Sequence, residues 1–186
     1  MPSLFDSVMP IHEKFIANFA PKASVLMFQI GDVAPDFELP DSEGKLRRLS
    51  EFRGKPVLLV FTRIFTDKIF CPVCYPHLLA LRNDYPLFQE LGAEIVLVNT
   101  TRVEMTKIIV QEQDFKFPVL SDAEWTVFKQ YGLGAALGAP MPGQFLLDKQ
   151  GVIRFQFVSG TEIPSPFFRH PDNQEMLAMI SQLSSQ

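Results

Sequence analysis

Pro56-Val-Leu-Leu-Val-Phe-Thr62 is a continuous apolar run of the kind that forms a strand buried on both faces, and Phe70-Cys-Pro-Val-Cys-Tyr75 follows it. Next comes a leucine-rich segment over 75–91, where Leu78, Leu79, Leu81, Leu87 and Leu91 supply much of the apolar surface of a helix. A strand, a Cys-x-x-Cys and a helix in that order place a sulfur at a helix start. Unpaired backbone N–H groups and the positive end of the helix dipole meet it there and favour thiolate over thiol. Thiolate is the form that attacks peroxides and disulfides, so the pattern points to redox chemistry.

Cys71 and Cys74 are the only two cysteines of the chain. With Cys71 as N-cap, Pro72 takes the first helical position, where its missing N–H costs nothing. Cys74 then lies one turn on, close enough to close a small disulfide ring. Pro76 cannot donate to the carbonyl of Pro72, so the first turn is expected to be irregular, or the regular helix to start only near Pro76. Inert core cysteines and a structural zinc site are the competing readings. Only His12, His77 and His170 could complete a zinc site, and none has the spacing of a finger, so no metal is expected.

Working outward, Glu94-Ile-Val-Leu-Val-Asn99 reads as a second buried strand, with helical patterns at 102–113 and 123–131. Gln144-Phe-Leu-Leu-Asp148 and Val152-Ile-Arg-Phe-Gln-Phe-Val158 flank Lys149-Gln-Gly151, a hairpin signal, and a final helix covers about 172–184. Residues 29–50 read as irregular chain with short strands, ending in a helical cap at Ser50. Leu4, Val8, Ile11, Phe15 and Phe19 recur at helical spacing over 3–20, with Pro10 kinking or dividing that helix. The expectation is an α/β protein: a central mixed sheet flanked by helices over 29–186, preceded by an N-terminal helical extension over 1–28.

Composition narrows the function classes. Residues are 47% hydrophobic and 20% charged, as in a globular domain with a real core, and the net charge is −4 with no long run of one sign. Neither nucleic acid nor a membrane is therefore expected as a partner. No stretch reaches the roughly 18 apolar residues of a membrane helix. The N-terminus lacks the basic start, apolar run and cleavage site of a secretory signal, so a cytoplasmic location is expected.

Gly31-Asp-Val-Ala-Pro-Asp-Phe-Glu-Leu-Pro-Asp41, Gly44, Leu49-Ser50 and Gly54-Lys-Pro-Val-Leu-Leu-Val-Phe61 resemble the opening of peroxiredoxins of the alkyl hydroperoxide reductase/thiol-specific antioxidant (AhpC/TSA) family. Phe117-Pro-Val-Leu-Ser-Asp122 and Tyr131-Gly132 resemble its middle segment, and Phe145-Leu-Leu-Asp148 with Gly151-Val-Ile-Arg154 its penultimate hairpin. The resemblance runs in order from about 30 to 184 and implies a thioredoxin fold. Two departures stand out. The family's Thr(or Ser)-Pro-x-Cys frame falls on Cys71-Pro-Val-Cys74, so Cys71 replaces the hydroxyl residue. The family's peroxide-orienting arginine is missing where Met141-Pro142-Gly143 stands. Pro142 instead resembles the cis-proline that thioredoxins set against their dithiol, exposing backbone for substrate pairing.

The two templates assign the thiols differently. Thioredoxin logic makes Cys71 the exposed nucleophile and Cys74 the resolver, and peroxiredoxin alignment reverses them; the missing arginine and Pro142 favour Cys71. Substrate contacts are expected at Pro142, Met141 and Pro72. His77, three residues past Cys74, is a candidate for proton transfer. Arg63 reads more naturally as a solvated side chain than as a cation beside the thiolate. Ile64, Phe65, Ile69 and Phe70 line a substrate groove or pack beneath their loop. The prolines and Phe167-Phe168 of 160–171 mark a subunit contact, consistent with a homodimer, or tuck against their own core.

Gly132-Leu-Gly-Ala-Ala-Leu-Gly138 follows a helix and precedes a strand, the wrong context for a dinucleotide loop. No cofactor is expected. The reading is a thiol-dependent oxidoreductase that reduces peroxides through an intramolecular disulfide and is reset by thioredoxin or a glutathione-type reductant. A protein disulfide reductase and a redox-sensing binding protein without turnover are the alternatives.

Overall fold

The structure, a computed structural model, describes residues 20–64, 70–162 and 169–184. The helix expected over 3–20 lies outside the described residues but for its last position, Ala20. In chain order, β1 (Glu38–Pro40) and β2 (Leu46–Arg48) form an antiparallel hairpin, and a 3-10 turn over Leu49–Phe52 follows. Next come β3 (Val57–Phe61), α1 (Cys74–Glu90), β4 (Glu94–Asn99), α2 (Val103–Gln113), β5 (Val119–Ser121) and α3 (Thr126–Gln130). A short hairpin of β6 (Ala135–Ala136) and β7 (Ala139–Pro140) leads into β8 (Gly143–Leu147), β9 (Ile153–Val158) and α4 (Asn173–Ser184).

The main sheet has the order β5-β4-β3-β8-β9. β3, β4 and β5 are parallel neighbours, while β8 runs antiparallel to both β3 and β9. All five residues of β3 are buried because the strand is central and covered on both sides. Leu58 and Val60 pack with Leu78, Leu81 and Phe88 of α1, Ile109 of α2, and Met176 and Ile180 of α4. Val57, Leu59 and Phe61 face the opposite layer, with Phe52, Phe128, Tyr131 and Phe145. The Tyr131 ring stacks edge-on or tilted against Phe28, Phe37, Phe61 and Phe145, and its hydroxyl donates to Pro35 O at 2.9 Å. Asp122 caps α3 by accepting from the backbone N–H of Thr126, Val127 and Phe128 at 2.8–3.0 Å.

Two local expectations are corrected. Ser50 is not a helical cap: its N–H and hydroxyl both donate to Asp36, at 2.9 and 2.7 Å, and the turn starts instead at Arg48, whose N–H donates to Glu51. Of the two outcomes expected for Pro76, only the irregular first turn is corrected: the regular helix begins close to Pro76, at Cys74. Pro76 therefore falls in the first turn, where an N–H has no intrahelical acceptor.

Residues 20–28 are bound back onto the sheet. Lys22 and Ala135 exchange backbone hydrogen bonds at 2.7 and 2.9 Å, Val25 N–H donates to Gly132 O, and the Ser24 hydroxyl donates to Ser159 O at 2.6 Å. Gly134 makes this approach feasible: a Cβ there would lie 2.1 Å from Lys22 O and 2.6 Å from Ser24 N. Because both are backbone atoms, no rotamer change relieves the clash. Gly134→Ala should cost about 1–3 kcal/mol in urea unfolding.

Candidate active site

The end of β3 and the start of α1 bring four groups together. Thr62 N–H continues the ladder to Val98 O at 3.0 Å, and Arg63 follows it. After the loop, Ile64 and Phe70 bridge, and Cys71 N–H donates to Arg63 O at 3.4 Å. Cys71 O accepts from Tyr75 N–H at 2.9 Å, which winds Pro72 and Val73 into a turn that feeds α1 at Cys74. The sulfurs do not point apart: the Cys74 thiol donates a hydrogen bond to the Cys71 sulfur. Both cysteines are reduced.

That one hydrogen bond drives the two thiols in opposite directions. Cys71 is brought down to about 5, first by the Cys74 thiol, then by the backbone N–H groups of Cys74 and Val73 and by the Arg63 charge, against the opposing effect of burial. Cys74 is pushed well above an ordinary thiol because it must keep the proton it shares and is buried beside an anion. Cys71 is thus the thiolate and Cys74 the protonated partner, the assignment that thioredoxin logic favours.

Arg63 is the residue the sequence undervalued. It is 2% exposed, not solvated. Its Nη2 donates to the carbonyl of Ala136 on β6, and its charge acts on both sulfurs. Burial lowers the guanidinium's own pKa while the two sulfurs raise it, as expected for a buried cation facing an anion. A charged residue directly after a fully apolar strand was the available signal; that it turns inward was not legible.

The other expected site residues divide. Pro72 is exposed beside Cys71, which is itself only 5% exposed, so Cys71 is not the open sulfur expected. Met141 is fully buried and Pro142 is buried. No described peptide bond is cis, so Pro142 does not reproduce a cis-proline. The trans form is the intrinsically favoured one, and here it joins β7 directly to β8 with Met141 N–H donating to Gly134 O at 2.7 Å and Pro142 O accepting from Ser159 N–H at 3.1 Å. Those backbone groups are consequently not displayed for a substrate strand.

His77 lies on the buried face of α1 with Cys74 and stacks on His170, ring centroids 4.1 Å apart. Burial brings His77 down to about 3 and His170 to about 4, and the neighbouring ring adds to the effect on His77. Ile64 packs in the core and Phe70 against it, with the Phe70 ring 4.7 Å from Tyr75; Phe65 and Ile69 lie outside the described residues. The 160–171 aromatics, Phe167 and Phe168, lie outside them as well. Among the described residues no group of three His, Cys, Asp or Glu is placed to hold a metal, and no helix is long and apolar enough to cross a membrane.

A central mixed sheet with a dithiol at the strand-to-helix junction, one sulfur ionised and one protonated, defines a thioredoxin-fold, thiol-dependent oxidoreductase. Residues 30–156 match the AhpC/TSA family, and the chain belongs to that family. It is 30% identical over 155 residues to the thiol-disulfide oxidoreductase ResA of Geobacillus thermodenitrificans, covering 83% of this chain and 82% of the relative. It is 33% identical over 127 residues to the chloroplastic peroxiredoxin Q of Triticum aestivum, covering 67% of this chain and 57% of the relative. Among solved structures, the peroxidoxin BcpB of Mycobacterium tuberculosis superposes with a TM-score of 0.68 at 27% identity, covering 83% of this chain and 97% of that one. A reduced 2-Cys peroxiredoxin of Plasmodium vivax, at 21% identity, shares the fold with the same TM-score.

Two outcomes are expected from these electrostatics. Alkylation of reduced protein should titrate with a midpoint near pH 5, the value of Cys71, and Arg63→Met should raise that midpoint by about one unit or more. Stability should fall as pH drops below about 6.5 toward 4, because unfolded histidines take up protons that native His77 and His170 refuse. Each contributes up to about 1.4 kcal/mol per pH unit, and His170→Phe should flatten the dependence seen in urea unfolding at pH 7 and pH 5.

Proposed function

We infer that the protein reduces small hydroperoxides. The observation that carries this reading is the closure of the site. The thiolate is 5% exposed, and the Met141 N–H and Pro142 carbonyl, which could pair with a substrate polypeptide, are already hydrogen-bonded within the fold. Such a site suits a ligand of a few atoms better than an extended chain. Arg63 supplies a buried cation at the thiolate from the end of β3, while the family's usual arginine position reads Met141-Pro142-Gly143. It would hold the sulfur ionised and donate to the peroxide oxygens as negative charge develops on them.

In this mechanism the Cys71 thiolate attacks one peroxide oxygen. The O–O bond breaks with its electron pair on the departing oxygen, which leaves as an alcohol or water after taking a proton, and Cys71 becomes a sulfenic acid. The Cys74 sulfur then attacks the Cys71 sulfur and expels water, leaving a Cys71–Cys74 disulfide. An external dithiol such as thioredoxin, or two equivalents of a glutathione-type monothiol, returns two electrons. Pro72, exposed beside Cys71, would form the wall that the substrate meets.

The second reading, a disulfide reductase, is favoured by the Cys-x-x-Cys itself and by the similarity to ResA. Stopped-flow mixing with hydrogen peroxide beside an insulin-reduction assay discriminates. Fast peroxide consumption with no insulin turnover is expected; the reverse pattern would replace the peroxidase reading. In Cys74→Ser the reaction should stop at Cys71, as a sulfenic acid with peroxide or as a mixed disulfide with a disulfide substrate, and neither should form in Cys71→Ser.

A further inference from the structure

Cys74 must lose its proton in the step that closes the disulfide, yet the principal influences on it come from Cys71, burial and Arg63, none of them a carboxylate. On the sheet face and helix face that Cys74 shares lies a set of buried polar groups. The Cys74 sulfur accepts from the backbone N–H of Arg63, which seats it against the Thr62–Arg63 peptide. Thr62 is 1% exposed and its hydroxyl has no hydrogen-bond partner among the described residues. Gln144 is fully buried, and neither its amide oxygen nor its amide nitrogen has a partner there.

Sheet register puts these groups on one face. Gln144 stands opposite Val60, whose side chain packs in the α1 layer, and Phe61 stands opposite Gly143. Thr62 is therefore the diagonal neighbour of Gln144 on the same face, within about 7–8 Å across the pair. His77 is one helical turn from Cys74 on the buried face of α1, and its Nε2 also lacks a partner among the described residues. On the far side, Phe157 is the register partner of Gln144 and its ring lies 6.1 Å from that of His170, which stacks on His77. Three side chains from β3, β8 and α1 thus bring unsatisfied donors and acceptors into one apolar layer behind the resolving sulfur. Leaving such groups unpaired is costly, and a buried water with two to four polar partners is the usual remedy.

We propose that Thr62, Gln144 and His77 hold a buried water behind Cys74, and that this water takes the Cys74 proton when the disulfide closes. The proposal rests on the assignment of Cys71 as nucleophile. As the Cys74 sulfur gives its electron pair to the Cys71 sulfur, its proton passes to the water. The bond from Cys71 to its leaving group breaks with its pair, and an equivalent proton reaches that group, so that a thiol, or water from a sulfenic acid, departs. Thr62 and Gln144 are positioning residues that orient the water; His77, kept neutral by burial, presents an acceptor nitrogen. The titratable and charged groups around Cys74 are Cys71, Arg63 and His77, with His170 behind His77; the buried α4 residues packed on this layer, Met176, Leu177 and Ile180, carry no charge.

Reduced protein mixed with 2,2′-dipyridyl disulfide releases one thiopyridone when Cys71 attacks and a second when Cys74 closes the ring, so the two steps are read separately. In Thr62→Val and Gln144→Leu the first release should keep its rate and its pH midpoint. The second should slow at least about tenfold at neutral pH and climb with rising pH as hydroxide replaces the lost acceptor. Gln144→Glu, which keeps an acceptor in place, should restore it. An unchanged second phase in both variants would overturn the proposal, as would equal slowing of both phases, the mark of a merely disturbed fold. Absence of any first release from the unaltered protein would instead remove the Cys71 assignment beneath it.

Discussion

A guanidinium buried to 2% exposure needs compensating negative charge, and in this protein it faces two sulfurs. The Cys71 thiolate is held by the Cys74 thiol, by the Cys74 and Val73 N–H groups and by Arg63, so the buried cation and the buried anion support each other. The pairing also organises the neighbourhood. Arg63 reaches the Ala136 carbonyl, so the β6–β7 hairpin is tied to the dithiol; the same hairpin is tied through Ala135 to Lys22. Residues 20–28 thus act on the site at one remove, by fixing the carbonyl that orients its cation.

The asymmetry of the two thiols follows from position rather than from residue type. Cys71 stands ahead of the helix, where free N–H groups of Val73 and Cys74 point at it, and Cys74 sits inside the first turn with its thiol hydrogen turned toward its partner. Cys71 gains the helix-start N–H groups and the Cys74 thiol hydrogen, whereas for Cys74 the Arg63 N–H and charge are outweighed by burial and by the neighbouring sulfur. A dithiol so arranged separates attack from resolution without needing a metal or an organic group to do so. The family likeness fits the same division: the opening, middle and hairpin motifs shared with peroxiredoxins build the sheet and the aromatic layer around Tyr131, while the dithiol is the local departure.

The sequence disclosed more of the frame than of the chemistry's surroundings. β3, β4, α1, α2, α4 and the β8–β9 hairpin were legible, since a period of two or 3.6 and an apolar run each reflect burial of one face or both. Errors fell where a choice depended on one residue's partner. Ser50 and its neighbours resemble a capping signal, but Asp36, far away in sequence, takes both Ser50 donors. Pro76 is disruptive only if α1 starts at Cys71; with the start near Pro76, at Cys74, the other branch of the expectation, the same proline is harmless. Gln144 was read simply as the first residue of a strand, although a polar side chain in a strand that is otherwise buried was itself a signal.

What the amino-acid order determined alone is the dithiol at a strand-to-helix junction in a mixed sheet, because spacing and apolar periodicity are local properties of the chain. Tertiary structure decided which sulfur is ionised, that Arg63 turns inward, that Pro142 is trans with its backbone engaged, and that Thr62, Gln144 and His77 are buried with polar atoms unpaired among the described residues. Each of those depends on electrostatic or hydrogen-bonding partners contributed by separate strands and helices, and their distances are set only when the sheet has closed.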